Sequence, residues 1–268
     1  MIPLKDNIAT DRFPIVTVAL IVANVVVYLL AVAHGGSLIS GPGTFVVFKY
    51  GAIPDALTHP GVHCAAVERV PAFGKPSPTI ICNTALLNAS NIPAENPLPP
   101  WETVFTAMFM HASILHIGGN MLFLWIFGNN VEDSMGPARF LFFYVLGGAA
   151  ALALQVAVDP SSTSPTLGAS GAIAAVLGGY IVIYPRARVL TLVIIILFFT
   201  VIELPAIAML GIWFAEQAVF GAVGLTNPAG GGGGVAYFAH VGGFVFGMLT
   251  IRLLATRRKE VPPRHPVY

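Results

Sequence analysis

The sequence predicts an all-α, polytopic membrane protein, a bundle of six transmembrane helices with both termini in the cytoplasm. Three observations lead there. Hydrophobic residues make up 56% of the 268 residues and charged residues only 9%, with a mean hydropathy of +0.81. A soluble domain carries about 25% charged residues, so there is too little charge here to cover a water-facing surface. Six apolar runs have the length to cross a hydrocarbon core of ~30 Å. The basic residues then fall mostly on one side of those crossings.

The elements follow in chain order. Residues 1–13 form a cytoplasmic N-terminus. Lys5 and Arg12 precede the apolar run 14–33, and Ala31-Val32-Ala33 resembles a signal-peptide cleavage site. A signal peptide has an apolar core of about 7–15 residues; this longer run fits a full crossing and is read as a retained first helix. Residues 34–103 are rich in Pro, Gly, Asn and Ser and read as a loop outside the membrane. That loop holds both cysteines, Cys64 and Cys82. Oxidising conditions outside the cytoplasm permit a disulfide between them, and no Cys-x-x-Cys pattern argues for zinc or redox chemistry.

The remaining crossings are expected at 104–128, 139–158, 168–185, 204–222 and 235–254, which makes 14–254 one membrane domain. Residues 189–202 are also apolar, but Glu203 and Pro205 interrupt them. A run of about 10–14 residues is more often re-entrant or interfacial than a crossing, so this stretch is expected to connect into the fifth helix. Gly230–Gly234 are five consecutive glycines, read either as a plain linker or as the hinge of a mobile cap. Residues 255–268 form a basic cytoplasmic tail.

Orientation rests on Lys and Arg alone. Lys5, Arg12, Arg139, Arg186, Arg188, Arg252, Arg257, Arg258, Lys259 and Arg264 fall on one side, against Lys49, Arg69 and Lys75 on the other. Short loops rich in Lys and Arg stay cytoplasmic. The net charge of +1 argues against a nucleic-acid partner.

Polar side chains inside membrane helices are costly and mark functional sites by default. His116, Asn120, Ser170 and His240 stand out. His116, Ser170 and His240 lie twelve to fourteen residues before the inner ends of their helices, a rise of roughly 18–21 Å. All three therefore sit at one level, ~10 Å below the outer edge of the core. Ser170, in Gly168-Ala169-Ser170-Gly171, begins a helix, where unpaired backbone N–H groups and the helix dipole favour negative charge. A serine hydroxyl needs a base to become a nucleophile, and His240 sits in Ala239-His240-Val241-Gly242-Gly243, whose glycines allow close helix approach. His116 and Asn120 are four apart on one helix face and offer donors for an oxyanion. Taken singly, each has a plainer reading: a small-residue packing motif with a capping serine, or a histidine bonded to a neighbouring helix. A zinc site on His111, His116 and His240 fits poorly, because His111 and His116 diverge by about 140° on a helix.

Together these positions resemble the rhomboid family of intramembrane serine proteases. His111-Ala-Ser-Ile-Leu-His116-Ile-Gly-Gly-Asn120 is similar to its second-helix motif, Gly168-Ala169-Ser170-Gly171 to its nucleophile motif, and Ala239-His240-Val241-Gly242-Gly243 to its last-helix histidine motif. The resemblance implies a six-helix rhomboid-like bundle in the cell (inner) membrane. Ser170 would be the nucleophile and His240 the base of a Ser–His dyad, with no aspartate. The oxyanion hole would use His116, Asn120 and the backbone N–H groups of Ser170 and Ala169, with Gly168, Gly171 and His111 in supporting roles. Substrates would be single-pass membrane proteins in the lipid bilayer, with no metal or other cofactor. The alternative is an inactive relative that binds membrane clients without cutting them. The chain departs from the family in carrying Trp101-Glu102 where members often have Trp-Arg. It also has Ala174 where some members stack a tyrosine on the histidine, so His240 must be oriented otherwise. Glu132 is expected to be structural, and Glu216, on the fifth helix proposed to gate substrate entry, to affect gating.

Overall fold

The computed structural model describes residues 1–69, 77–90, 92, 98–195, 198–226, 235–257 and 259. The glycines at 230–234, and much of the basic tail, lie outside the described residues. Elements follow in chain order as β1 (Ile2–Asp6), α1 (Ile15–Ala33), β2 (Gly36–Ser37), β3 (Gly41–Pro42), α2 (Thr44–Tyr50), α3 (Pro54–Thr58), β4 (Ala65–Arg69), β5 (Ser77–Ile81), α4 (Thr84–Ala89), α5 (Pro100–Thr106), α6 (Ile114–Phe123), α7 (Asn129–Met135), α8 (Pro137–Val158), α9 (Ser170–Ile183), β6 (Arg188–Ile195), β7 (Phe198–Pro205), α10 (Ala206–Thr226) and α11 (Tyr237–Leu254).

Among the described residues, four helices are long and apolar enough to cross a membrane, namely α1, α8, α10 and α11. A fifth crossing is counted if the bent pair Pro100–Phe109 and Ile114–Met135 acts as one. The chain is thus a mostly helical, multi-pass membrane protein. α9 has 14 residues, a rise of about 21 Å, and most of its side chains are buried.

Two expectations need correction. The chain is not all-α, because Arg188–Ile195 and Phe198–Pro205 pair as the antiparallel strands β6 and β7, and β1 adds to them in the order β1-β6-β7. Val, Ile, Thr and Phe dominate this stretch, and such residues suit a pleated surface. The stretch 189–202 connects into α10 as expected, and it does so as two paired strands. The run 104–128 is also not one helix. It breaks between Phe109 and Ile114 with a bend of 80°, and Leu124–Gly128 is π-helical. A new helix starts at the break because Ser113 Oγ accepts a hydrogen bond from His116 N at 3.2 Å, the arrangement of an N-cap. The loop before α2 is seated at the same place: Ile114 N donates to the Ile39 carbonyl. Gly41, at φ +83°, lies so close to the Ala112 carbonyl that a Cβ there would collide with it.

The chain divides into two compact units. One comprises Ala23–Ile117 and Leu152–Ala169. In it Cys64 and Cys82 form a disulfide beside the β4–β5 hairpin, with Cys64 buried against Phe48 and Ile53. Closing a loop of this size stabilises a fold by about 3 kcal/mol. Segment 159–166 is pinned by backbone bonds from Asp55 N to Ser162 O and between Ala52 and Thr166, and by Thr58 Oγ1 donating to Pro160 O at 2.7 Å.

The other unit comprises Met1–Val22, Gly118–Ala151 and Ser170–Tyr268. Its centre is the contact of α9 with α11, where glycines bring the backbones together. A Cβ on Gly178 would strike the Phe244 carbonyl, one on Gly243 the Gly171 carbonyl, and one on Gly247 the Ala175 carbonyl. Glu132 has the structural role expected of it. Its carboxylate accepts from Val16 N, Thr17 N and Thr17 Oγ1 at 2.8–3.0 Å, capping the first turn of α1. Nearby, Asp133 accepts from Asp11 N and from Lys259 Nζ, and Asp6 accepts from Asn130 Nδ2 at 2.7 Å and Tyr180 OH at 2.6 Å.

Candidate active site

Ser170 is the first residue of α9, after Gly168, whose φ of +120° lies in a region that L side chains rarely adopt. Gly171 follows, and a Cβ there would press on Ala151. The chain therefore turns into α9 through small residues. α11 brings His240 against this turn. His240 Nε2 lies 2.8 Å from Ser170 Oγ.

The other imidazole nitrogen is also bonded. His240 Nδ1 lies 2.7 Å from Oε1 of Gln217 on α10. An amide oxygen only accepts, so Nδ1 carries the proton and donates it to Gln217. Nε2 is then a lone pair and accepts the Ser170 hydroxyl. Trp213, one turn before Gln217, lies against the imidazole with ring centroids 5.8 Å apart and planes at 36°. Phe244, one turn after His240, packs on Trp213 and stacks on Phe214 at 4.6 Å. With Ala174 in place of a stacking tyrosine, His240 is held by Trp213 and Gln217.

The residues selected from the sequence as nucleophile and base, Ser170 and His240, are in contact. Asn120 lies in the same unit, and its buried Nδ2 has no protein partner among the described residues, leaving an amide donor to spare. Gly168, Ala169, His111 and His116 belong to the other unit. There His111 is fully buried, edge-on to His116 at 5.1 Å. Ala112 N donates to His116 Nδ1 at 3.3 Å, which leaves Nε2 of His116 as the N–H donor. Ala169 is fully buried. Glu216 is exposed. Among the described residues, no group of three His, Cys, Asp or Glu side chains could hold a metal ion.

Sequence reading missed Gln217 and Trp213. It weighed the charged neighbour Glu216 instead. The available signal was the four-residue spacing of Trp213 and Gln217, which puts a ring and an amide on one helix face.

A helical multi-pass membrane protein in which a serine at a helix start meets a histidine from a neighbouring helix is the class that fold and site define. The family model for the rhomboid domain matches residues 99–257, more than half of the chain. The chain belongs to the rhomboid family. It is 30% identical over 153 residues to Rhomboid protein 1, mitochondrial, of Saccharomyces cerevisiae, covering 55% of this chain and 40% of that one. It is 38% identical over 78 residues to Rhomboid protease GluP of Bacillus subtilis, covering 29% of this chain and 15% of that one. It is 30% identical over 145 residues to Presenilin-associated rhomboid-like protein A, mitochondrial, of Danio rerio, covering 52% and 34%. In each case the match spans less than half of the relative's length.

Proposed function

We propose that the chain is an intramembrane serine endopeptidase that cleaves transmembrane-segment substrates with a Ser170–His240 dyad. The observation that carries this reading is the hydrogen bond between Ser170 Oγ and His240 Nε2. It puts nucleophile and base within the ~2.6–3.2 Å that proton transfer requires.

The chemistry follows from that contact. Ser170 Oγ attacks the scissile carbonyl carbon as Nε2 takes its proton. The carbonyl oxygen becomes an oxyanion. Backbone N–H groups at the start of α9, those of Ser170 and Ala169, favour that charge. The spare Nδ2–H of Asn120 and the Nε2–H of His116 are the side-chain donors that the sequence motif assigns to the same task. One such donor is worth about 3 kcal/mol of barrier in acyl transfer. His240 then protonates the leaving amine, and water, activated by the same nitrogen, hydrolyses the acyl-enzyme.

The wider reading has six crossings, with α9 and the bent pair counted in. The residues before 14 and after 254 face the cytoplasm, and the 34–103 loop, whose disulfide suits an oxidising side, faces out. The host is a cell (inner) membrane, and the substrates are single-pass membrane proteins unwinding at small or helix-breaking residues. Purified full-length protein in proteoliposomes with a single-pass substrate tests the reading. Cleavage that disappears in Ser170→Ala and in His240→Ala supports it. Binding of the substrate without any cleavage favours the client-binding alternative.

A further inference from the structure

The geometry points to Gln217 as the positioning residue that sets the tautomer of His240, completing a Ser170–His240–Gln217 relay in which all three members are uncharged. The inference rests on the proposed Ser–His chemistry and extends it to a residue on α10.

A neutral imidazole offers one N–H donor and one bare nitrogen. Its single N–H proton can sit on either nitrogen, and only the form with a bare Nε2 can take a proton from Ser170. A third group at Nδ1 decides which form prevails. Gln217 Oε1 sits there at 2.7 Å, on the far side of the ring from Ser170 Oγ at 2.8 Å. If the same amide turned over, its NH₂ would donate to Nδ1. The proton would move to Nε2 and face the serine, and the pair would lose its base. The direction of one amide therefore separates a competent pair from an incompetent one. Trp213, on the same face of α10, keeps the ring in the plane that both bonds need.

A carboxylate at this place would hold the tautomer as well and would also attract the proton that His240 gains. An amide supplies direction without that charge. The hydroxyl of Ser170 and the amide of Gln217, which bond the two imidazole nitrogens, are both uncharged.

The test compares full-length Gln217→Met, which keeps the length and loses the acceptor, with Gln217→Glu, which can only accept. Cleavage of a single-pass substrate and the rate of Ser170 labelling by a fluorophosphonate are followed against pH. Gln217→Met is expected to lower kcat about fivefold to tenfold, the worth of one neutral hydrogen bond, with KM little changed. Gln217→Glu is expected to keep the alkaline rate and to move the acid limb of the profile to higher pH. Histidine-selective ¹⁵N spectra of the unmodified protein give a reading that no variant can spoil, with His240 expected as the Nδ1–H form. Gln217→Met cleaving at the unmodified rate, or His240 carrying its proton on Nε2, overturns the inference. Either result, beside a dead Ser170→Ala, leaves the dyad standing. An unmodified protein that neither cleaves nor labels at any pH overturns both.

Discussion

The two ends of α9 are held by opposite means. At Ser170, uncharged groups meet in one line, hydroxyl to imidazole to amide, and Gly243 lies against the Gly171 carbonyl. Toward Tyr180 and Tyr184, carboxylates hold the fold. Glu132 takes three hydrogen bonds from the start of α1, Asp6 takes two from Asn130 and Tyr180, and Lys259 ties Asp133 to Asp11. Charge is placed where chain segments far apart in sequence must be anchored. Neutral hydrogen bonds are placed where the proposed chemistry moves a proton, because a buried charge there would be costly to neutralise and re-form.

The comparison breaks most visibly at Glu132. Glu132→Ala removes one carboxylate from three buried donors and is expected to destabilise by about 4 kcal/mol, given that bonds to charged groups are worth about 1.5–3 kcal/mol each. Glu132→Gln should lose less, since one amide oxygen still accepts. Thermal unfolding in detergent, followed by loss of the monodisperse peak, reads the order of the two. Equal losses would mean that the charge does not matter there.

The glycine contact is the next largest. Gly247→Ala drives a methyl group into the Ala175 carbonyl, and overpacking of this kind costs about 1–3 kcal/mol. Because α9 and α11 carry the two halves of the proposed dyad, the same variant should slow fluorophosphonate labelling more than Glu132→Gln does at matched folded fraction. Labelling that tracks stability equally in both variants would erase the distinction between the two ends.

Asp6 gives the smallest effect and a pH signature. Burial raises its carboxyl to about 6 from the ordinary 3.8, against the opposing pull of its hydrogen bonds. The folded state thus holds the proton more tightly than the unfolded chain. The resulting stabilisation is complete below about pH 4 and is lost as pH rises through about 6, at most about 3 kcal/mol and less for a partly exposed group. Asp6→Asn keeps an oxygen for Asn130 and Tyr180 and cannot ionise. It should raise the midpoint of unfolding at pH 8 and leave it unchanged at pH 4. A shift of equal size at both pH values would contradict the assignment.

The contact of Ser170 with His240 was legible in the sequence, whereas at the anchoring end only Glu132 was. Ser170 and His240 lie in short motifs of small residues, and their shared level followed from counting residues to helix ends, so local information sufficed. β1 pairs with β6, Ile2 standing opposite Leu192, and nothing in Ile2–Asp6 announces that partner. The stretch 189–202 is apolar on both faces of its hairpin, which removes the alternation that marks a strand. The break before α6 depends on Ser113 capping a new helix and on Ile39 and Gly41 lying beside Ala112, a long-range contact. Gln217 escaped because it lies outside the three motifs, and the polar residue weighed in that helix was Glu216, which is exposed, while the Gln217 amide faces the imidazole.

The central claim is that Ser170 is a nucleophile activated by His240. Its most direct measurement is cleavage of a single-pass substrate in proteoliposomes by the unmodified protein, Ser170→Ala and His240→Ala, with the labelled residue located by mass spectrometry after fluorophosphonate treatment. The account predicts cleavage by the unmodified protein, none above background in either variant, and the label on Ser170. Cleavage that survives in Ser170→Ala, or a label on another residue, would contradict it.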